Sequence, residues 1–406
     1  MRLPVHRWFR FSAGFSAQWV ESLLSEHAPL NDKVVLDPFA GSGTTLLASD
    51  VVSVRSIGVE AHPFLVKIAR AKLWWWISVE EFLDAAFKVL NTAKQLLKTG
   101  QERESYPDLI MRTISLQNLS KLDALKKAWE THHDLSPSSH LVWLAITSII
   151  RQSSFSGTAQ WQYVLPKKRK KTVLDPLEAY MRQIEMMSQD MRQMQFLVNG
   201  TSKAILYHSD ARSFPEVRTN SVHIVVTSPP YANNFDYADA LRLEMSFWGE
   251  VRSWGELHEA VRKYLIVSSS QHASREKLIL DQLLSSELLN PIKGEISEVC
   301  KRLAEERLRH GGRKHYHTMI AAYFIDMARV WRELRRVCST PCDLYFVIGD
   351  SAPYGVYVPV HRWLKKLALS SGFDIAEYRK LRDRNVKWKN RKHRVPLQEG
   401  ILHIKG

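Results

Sequence analysis

Two glycines stand in a segment whose residue types suit the binding of a small ligand. Residues 37–45 read Asp-Pro-Phe-Ala-Gly-Ser-Gly-Thr-Thr, between a β-branched run and an apolar helical start. Gly41 and Gly43 permit a tight turn and let a ligand approach the free N–H groups of the helix. The lysine of a phosphate-binding P-loop is absent, and the Gly-x-Gly is not completed to G-x-G-x-x-G. Glu60 ends the next apolar run and is suited to holding ribose hydroxyls.

A second segment is suited to holding the amino group of a planar ring. Residues 227–231 read Thr-Ser-Pro-Pro-Tyr at the end of another β-branched run. The Ser228 hydroxyl and the Pro229 carbonyl can accept hydrogen bonds, and the two prolines fix the direction of that carbonyl because each locks its own φ. Tyr231 offers a face on which a base can stack. A bare Pro-Pro-Tyr is common, so its place after a strand, downstream of the glycine turn, is what makes it informative.

The positive charge of the chain is concentrated in two short stretches. The 406 residues carry 57 Lys and Arg against 42 Asp and Glu, a formal net charge of +15. Residues 379–394 hold nine of the cations and one acid, and residues 167–171 hold five cations and no acid. Because cations mixed with an aromatic, here Trp388, suit phosphate contact with stacking, we predict a nucleic-acid contact at 379–394. A flexible linker is an equally good interpretation of 167–171.

These segments must be positioned by a frame of alternating strands and helices. The predicted strands are 33–36, 53–59, 204–207, 222–226, 344–348, 373–378 and 397–404. Helices are predicted after the first two strands, with Pro63 in a first turn, and over 317–337 from the spacing of apolar residues. The last two strands are predicted to form a closing hairpin around the basic stretch. This alternation is typical of a doubly wound α/β sheet.

Two long stretches interrupt this frame. Residues 77–200 are poor in glycine and rich in helix-forming residues, and 249–315 are mainly helical and charged. We therefore predict one catalytic domain built from 1–76, 201–248 and 316–406, interrupted by two helical insertions.

Composition restricts the class of protein further. With 45% apolar residues the chain has enough material for a core, so a disordered chain is excluded. The longest mostly apolar stretch, 141–150, is far shorter than the about 20 residues that cross a bilayer, and the first residues have no apolar signal region. We expect a soluble, cytoplasmic protein with no membrane partner. Three cysteines cannot form a disulfide framework, and no metal site is predicted.

The two motifs together resemble those of the DNA amino-methyltransferases that use S-adenosylmethionine. The Ser-Pro-Pro-Tyr form is most like the cytosine-N4 branch of that family. The resemblance extends to Asp210, to Phe235-Asp236-Tyr237 and to residues 347–351, and leaves out both insertions. It implies a seven-stranded, Rossmann-like methyltransferase sheet with two mainly helical insertions.

The resemblance also implies a role for each matching position. The residues that would cradle the methionine end of S-adenosylmethionine are Asp37, Phe39, Ala40, Gly41, Gly43 and Thr44. Glu60 would bind the ribose and Asp210 the adenine amino group. The catalytic pocket would be formed by Ser228, Pro229, Pro230 and Tyr231. Residues 11–19 loosely resemble the motif that completes the cofactor site, with Phe15 and Ser16 as candidates, and His62 stands in place of a small polar residue.

The implied reaction is site-specific methylation of the exocyclic amine of a flipped DNA base, with cytosine N4 as the favoured target. Such an amine is a poor nucleophile because its lone pair is delocalised into the ring. Hydrogen bonds to Ser228 and Pro229 would favour a pyramidal nitrogen whose lone pair points at the methyl group. Adenine-N6 methylation of DNA, base methylation of RNA and a catalytically silent nucleic-acid-binding relative are the alternatives.

Double-stranded DNA is the partner that the resemblance implies. Residues 77–200 lie between the two motifs and are the first candidate for reading its sequence, with 249–315 second. The basic stretch would hold the phosphate backbone, a contact that carries no sequence information. The residues assigned to this contact are Arg384, Lys387, Trp388, Lys389, Arg391 and Arg394. A cognate restriction endonuclease or another defence-system protein is a further candidate partner.

Overall fold

A computed structural model of the chain describes residues 3–12, 14–100, 104–157, 170–233, 235–275, 277–384 and 395–406. Within these residues, seven strands form one sheet. The strands are β1 (Val34–Asp37), β2 (Arg55–Glu60), β3 (Ala204–His208), β4 (Val222–Thr227), β5 (Cys338–Gly349), β6 (Ile375–Arg384) and β7 (Leu397–Lys405).

The strand order is β3-β2-β1-β4-β5-β7-β6, and β7 runs antiparallel to both of its neighbours while the other pairings are parallel. The predicted seven-stranded, Rossmann-like methyltransferase sheet is confirmed. The order reverses between β1 and β4, and ligands of open α/β sheets bind at such a point, beyond the carboxyl ends of the strands. Asp37, Glu60 and Thr227 are the last residues of three parallel strands and meet at this edge.

The first part of the chain supplies three helices beside the sheet, and a helical group follows them. The three are α1 (Ala17–Glu26), α2 (Thr44–Val51) and α3 (Pro63–Leu73), and the group is α4 (Val79–Thr99), α5 (Asp108–Thr113), α6 (Leu116–His132), α7 (Pro137–Ile149) and α8 (Pro176–Leu197). Ser78, Ser115, Ser136 and Asp175 cap the starts of four of these helices with their side-chain oxygens. The group shares one apolar core with α2 and α3, through buried residues such as Phe64.

Among the described residues, eight more α-helices lie between β4 and β6. They are α9 (Tyr237–Ala240), α10 (Arg242–Phe247), α11 (Leu257–Ala260), α12 (Ser270–Arg275), α13 (Leu280–Leu284), α14 (Lys293–Arg309), α15 (Tyr316–Val337) and α16 (Val360–Ser370). The longest, α15, is buried along most of its length and packs Trp331 against Phe346 of β5, with ring centroids 4.4 Å apart. No helix in the described part of the chain combines the length and apolar content needed to cross a membrane.

The closing hairpin differs from the prediction in one respect. The basic stretch was expected to be a loop from 379 onward, whereas β6 continues to Arg384 and pairs with β7 along that length. The cause is cross-strand pairing, because Arg382 on β6 faces Glu399 on β7 with 2.7 Å between Nη2 and the carboxylate. Since β6 is an edge strand, its exposed charges also suit a position where further strand pairing must be prevented.

Candidate active site

The glycine-rich turn joins β1 to α2 in a conformation that glycine adopts without strain. Gly41 has φ +54° and Gly43 has φ +87°, both in the left-handed region. The Gly43 N–H donates to the Ala40 carbonyl over 2.8 Å, which closes the turn. The first helical N–H groups of α2 are therefore directed at the carboxyl edge of the sheet.

Asp37 supports this turn from below and does not line the cavity above it. Its buried carboxylate accepts hydrogen bonds from Phe39 N at 3.0 Å, Thr45 Oγ1 at 2.7 Å and Thr227 Oγ1 at 2.6 Å. Burial raises the pKa of Asp37 to about 6, against the opposing effect of these three bonds. The carboxylate thus connects the turn after β1 to the end of β4, where the second motif begins.

Glu60 holds the far side of the turn. Its Oε2 accepts from Gly41 N and its Oε1 from His62 N, each over 2.7 Å. Burial raises the pKa of Glu60 to about 7. Because each carboxylate oxygen has two lone pairs, both oxygens retain capacity for a further donor such as a ribose hydroxyl.

One cavity opens above the turn, and the space within it, including its open mouth, is about 820 Å³. Among the predicted cofactor residues, its lining includes Phe39, Ala40, Gly41, Thr44, Glu60 and Asp210. Ser228 and Pro230 of the second motif line the same cavity. Pro229 and Tyr231, like Gly43, are not among the lining residues. The structure therefore brings the two motifs, about 190 residues apart in the sequence, to one space.

Asp210 lies on the opposite wall and is already engaged. Arg212 contacts it through Nη2 and Oδ2 at 2.6 Å, and the same guanidinium reaches Asp326 Oδ1 on α15 at 3.2 Å. The two carboxylates share one cation, so the Asp210 side chain is held in place beside the cavity. Its side chain is 37% exposed, which leaves room for a donor from a ligand.

The N-terminal segment closes one side of the cavity with Phe11, Gly14 and Phe15. Phe15 lies where the resemblance implied, whereas Ser16 caps α1 by accepting from Trp19 N at 3.3 Å.

Two buried charged groups anchor this segment. Asp190 of α8 accepts from Val5 N, from the Arg7 guanidinium and from Trp8 Nε1, with Trp8 at 3.1 Å. Lys72 of α3 donates to the carbonyls of His6 and Phe9 at 3.2 and 3.3 Å, and burial lowers the pKa of Lys72 to about 7. The cavity wall therefore depends on residues distant in sequence.

His62 both caps a helix and lines the cavity, and its sequence position alone did not indicate these two roles. Its Nδ1 accepts from Phe64 N at 3.2 Å and caps α3, so the proton of the neutral ring is on Nε2. Burial lowers the pKa of His62 to about 3, which keeps the ring neutral. His62 also lines the cavity, and within the described residues its buried Nε2 has no hydrogen-bond partner.

Several lining residues were not predicted from the sequence. Tyr264, Leu265, Ile266 and Ser268 come from the stretch that follows the second motif. The Ser268 carbonyl accepts from Asn233 N at 2.8 Å, which fixes this stretch against the loop that follows β4. No local pattern marks these residues, because their role depends on a contact that forms only in the folded chain.

Hydrogen bonds hold Ser228 and Tyr231 of the second motif, and an ion pair holds the segment that follows it. Ser228 Oγ donates to the Val347 carbonyl of β5 at 3.1 Å. The Tyr231 N–H donates to the Tyr237 hydroxyl at 3.4 Å, and Tyr237 lines the cavity. Asp236 caps α9 and pairs with the buried Arg262 at 2.8 Å, so the Phe235-Asp236-Tyr237 segment acts both as a helix start and as a support of the loop.

The predicted phosphate contact falls largely outside the described residues. This applies to Lys387, Trp388, Lys389, Arg391 and Arg394. Arg384 is described, and its side chain, 14% exposed, lies over the ring of Tyr231 with 5.0 Å between Cζ and the ring centroid. Among the described residues, no group of three or more His, Cys, Asp or Glu side chains is arranged to hold a metal ion.

Comparisons with known proteins find similarity to DNA methyltransferases. A family model described as DNA methylase, for N6 and N4 enzymes, matches residues 6–71. The type II methyltransferase M.BsoBI of Geobacillus stearothermophilus is 24% identical over 403 residues, covering 91% of this chain and 78% of that protein. The type II methyltransferase M.AvaI of Nostoc sp. is 25% identical over 406 residues, covering 92% and 80%.

A solved structure, the rRNA methyltransferase AviRa of Streptomyces viridochromogenes, aligns over 98% of this chain and 87% of its own, with 9% identity and a TM-score of 0.29. A score this low does not establish a common fold. The glycine turn and the Ser-Pro-Pro-Tyr loop on one cavity, the family match over residues 6–71 and the two relatives matched over most of their length together support the N6/N4 family of DNA methyltransferases.

Proposed function

We propose that this chain is a type II DNA methyltransferase that transfers a methyl group from S-adenosylmethionine to the N4 amine of cytosine. The observation that carries the proposal is the shared cavity, lined by Gly41 and Glu60 on one side and by Ser228 and Pro230 on the other. A methyl donor bound to the glycine turn would face an amine held by the catalytic loop across a single space.

The cavity residues fit S-adenosylmethionine. Glu60 retains lone pairs for the ribose hydroxyls, Asp210 lines the cavity as an acceptor for the adenine amine, and His62 Nε2 is a buried donor that has no hydrogen-bond partner among the described residues. The first N–H groups of α2, which have no acceptor within the helix, suit the carboxylate end of the molecule. When bound, S-adenosylmethionine supplies a methyl group on a positively charged sulfur.

Ser228 would act as a hydrogen-bond acceptor for the target amine. Its O–H is already donated to the Val347 carbonyl, so its oxygen presents lone pairs to the amine. The Pro229 carbonyl, fixed in direction by the two prolines, would accept from the second N–H. Together they would direct the nitrogen lone pair at the methyl group, and alignment would supply most of the acceleration. The base would stack on Tyr231.

Cytosine N4 is favoured over adenine N6 because the loop begins with serine, as in the N4 branch that the sequence resembles. The discriminating experiment incubates the protein with labelled S-adenosylmethionine and with unmodified DNA or RNA, followed by nucleoside mass spectrometry. We expect labelled N4-methylcytosine in DNA. Labelled N6-methyladenine in DNA would show that the target is adenine N6 and not cytosine N4. Label in RNA alone would show that the substrate is RNA and not DNA. No label in either polymer would contradict the proposal as a whole.

The DNA would be read by residues 77–200, with 249–315 as the second candidate, while the catalytic domain comprises 1–76, 201–248 and 316–406. Lys387, Trp388, Lys389, Arg391 and Arg394 would hold the phosphate backbone. Lys389, Arg391 and Arg394 can be neutralised together as a test. The slope of log K for DNA binding against log salt concentration should then become less steep by about 0.9 for each phosphate contact that is lost. An unchanged slope would show that the basic stretch does not contact the phosphate backbone.

A cognate restriction endonuclease is the partner that this function favours, because both relatives matched over most of their length are type II methyltransferases. Co-expression offers a direct test: DNA isolated from cells that produce the protein should resist an endonuclease that cuts at the methylated sequence. DNA that carries the methyl group but is cut by every endonuclease specific for that sequence would argue against such a pairing.

A further inference from the structure

The ring of Tyr231 has a guanidinium group over one side. Arg384 Cζ lies 5.0 Å from the ring centroid, a distance at which a cation is attracted to an aromatic face. The two residues are far apart in the sequence and meet because β6 and β5 end at the same edge of the sheet, with the start of β7 paired between them. Arg384 was assigned by its charge to the phosphate contact, but its side chain is 14% exposed and is directed into the protein.

Other contacts hold the guanidinium in place. Arg384 Nη1 donates to the Asp350 carbonyl over 2.7 Å, and Nε lies 3.9 Å from Glu399 Oε2. Asp350 is itself fixed, since its carboxylate accepts from Tyr357 and His361 at 2.8 and 3.0 Å. The cation is therefore oriented by a rigid set of acceptors, and its charge is partly balanced by Glu399.

The absence of a side chain at Gly349 makes this stack possible. A Cβ at that position would lie 2.7 Å from Arg384 Nη1, closer than real Cβ atoms approach other groups, and 3.0 Å from Tyr231 Cε2, which is tighter than most real Cβ contacts. The arginine, the tyrosine and the backbone of β5 are therefore packed in direct contact. Tyr231 cannot move toward β5, and the guanidinium blocks one side of its ring.

We infer that Arg384 is a positioning residue for Tyr231, which it holds so that the opposite side of the ring receives the target base. The inference rests on the proposed function, because it presupposes that Tyr231 stacks on a flipped base. It replaces the assignment of Arg384 to the phosphate backbone. Lysine is a poor substitute at this position, because it lacks the planar fork that contacts Asp350 and lies over the ring at the same time.

The two assignments of Arg384 predict opposite kinetics. A phosphate contact depends on charge, so Arg384→Lys should retain it. Arg384→Met should then weaken DNA binding and make its dependence on salt concentration less steep. A positioning residue depends on shape, so both variants should lower kcat while KM for DNA and the salt slope remain those of the unmodified protein. Lys366→Met is the matched control, since Lys366 is 45% exposed on α16, pairs with Glu295 and lies outside the site.

The experiment measures methyl transfer to unmodified plasmid DNA by the unmodified protein and the three variants, with S-adenosylmethionine affinity measured separately. We expect kcat to fall at least tenfold in Arg384→Lys and Arg384→Met and to stay unchanged in Lys366→Met, with cofactor affinity equal in all four. Unmodified kcat in Arg384→Lys, together with a salt slope lowered by about 0.9 in Arg384→Met, would overturn the inference in favour of a phosphate contact.

A second measurement does not depend on activity. In a double-mutant cycle, urea unfolding of Arg384→Met, Tyr231→Leu and the double variant should be non-additive, because each substitution removes the same contact. Additive effects would overturn the inference even if all proteins fold. Absence of methyl transfer by the unmodified protein would instead contradict the proposed function, so the two failures are distinguishable.

Discussion

The Thr227 hydroxyl donates a 2.6 Å hydrogen bond to the Asp37 carboxylate, and this bond joins the ends of β4 and β1. Thr227 is the first residue of the second motif, and Asp37 is the first residue of the glycine turn. The bond lies beneath the cavity, so the ligand turn and the catalytic loop share one buried support. Their relative position is therefore set by the sheet rather than by a flexible connection.

Glu60 should make cofactor binding depend on pH. Burial raises the pKa of Glu60 to about 7, so the carboxyl is largely protonated at pH 6 and ionised at pH 8. Ribose hydroxyls donate to the ionised form, so S-adenosylmethionine should bind more tightly as the pH rises through about 7. Calorimetric titration from pH 6 to 8 measures this.

Glu60→Gln should bind weakly at every pH and lose the dependence over that range, because its amide cannot ionise. Glu250→Gln is the control, as Glu250 pairs with Lys67 outside the cavity, and it should keep the profile. If the affinity of the unmodified protein for S-adenosylmethionine does not change with pH, Glu60 does not bind the ribose.

Ser228→Ala should lower kcat without changing cofactor affinity. The substitution removes the oxygen that is oriented by the Val347 carbonyl and leaves an amine N–H without an acceptor. An unmade buried hydrogen bond costs about 1–3 kcal/mol, which corresponds to a fall of roughly 5- to 150-fold. Single-turnover kinetics with bound S-adenosylmethionine measure the chemical step. Unchanged transfer with normal cofactor binding would show that another group holds the amine.

Gly349→Ala should impair both folding and transfer. The new Cβ would lie 2.7 Å from Arg384 Nη1 and 3.1 Å from Tyr231 Cδ2, so the stacked pair must shift. Overpacking of this kind costs about 1–3 kcal/mol of unfolding free energy. Gly294→Ala is the matched control, because a Cβ there meets no atom within 4 Å and the position lies in α14. Urea unfolding and kcat are the readouts, and equal behaviour of the two variants would contradict the tight packing.

Asp190→Ala should weaken cofactor binding from a distance. It removes the acceptor of Val5 N, of Arg7 and of Trp8 Nε1, which anchor the segment that carries Phe11 and Phe15. Hydrogen bonds to a charged group contribute about 1.5–3 kcal/mol each, so the segment should detach before the protein unfolds globally. Limited proteolysis near the N-terminus and S-adenosylmethionine affinity should both change. Protection equal to that of the unmodified protein would show that the segment is held by its apolar contacts alone.

The basic stretch shows where local sequence is insufficient. Its charge predicted a loop on DNA, yet residues up to Arg384 form an edge strand because β7 supplies hydrogen bonds and Glu399 supplies a counter-charge. Arg384 and Arg382 are two residues apart and equally charged, but one lies over Tyr231 and the other is exposed. Composition does not distinguish them, and residues i and i+2 of a strand share one face, so the difference arises from the position of Arg384 at the end of β6, where it reaches Tyr231.

The sequence by itself determined the seven strands, the glycine turn and the Ser-Pro-Pro-Tyr loop, because strand periodicity, backbone freedom at Gly41 and the rigidity of Pro229 and Pro230 are local properties. Only the tertiary structure decided which distant residues complete the site. Tyr264 to Ser268 line the cavity, Asp190 anchors its N-terminal wall and Arg384 lies against Tyr231. These contacts join residues that are tens to hundreds of positions apart, and such pairings depend on strand order and packing, which a single chain's local pattern does not encode.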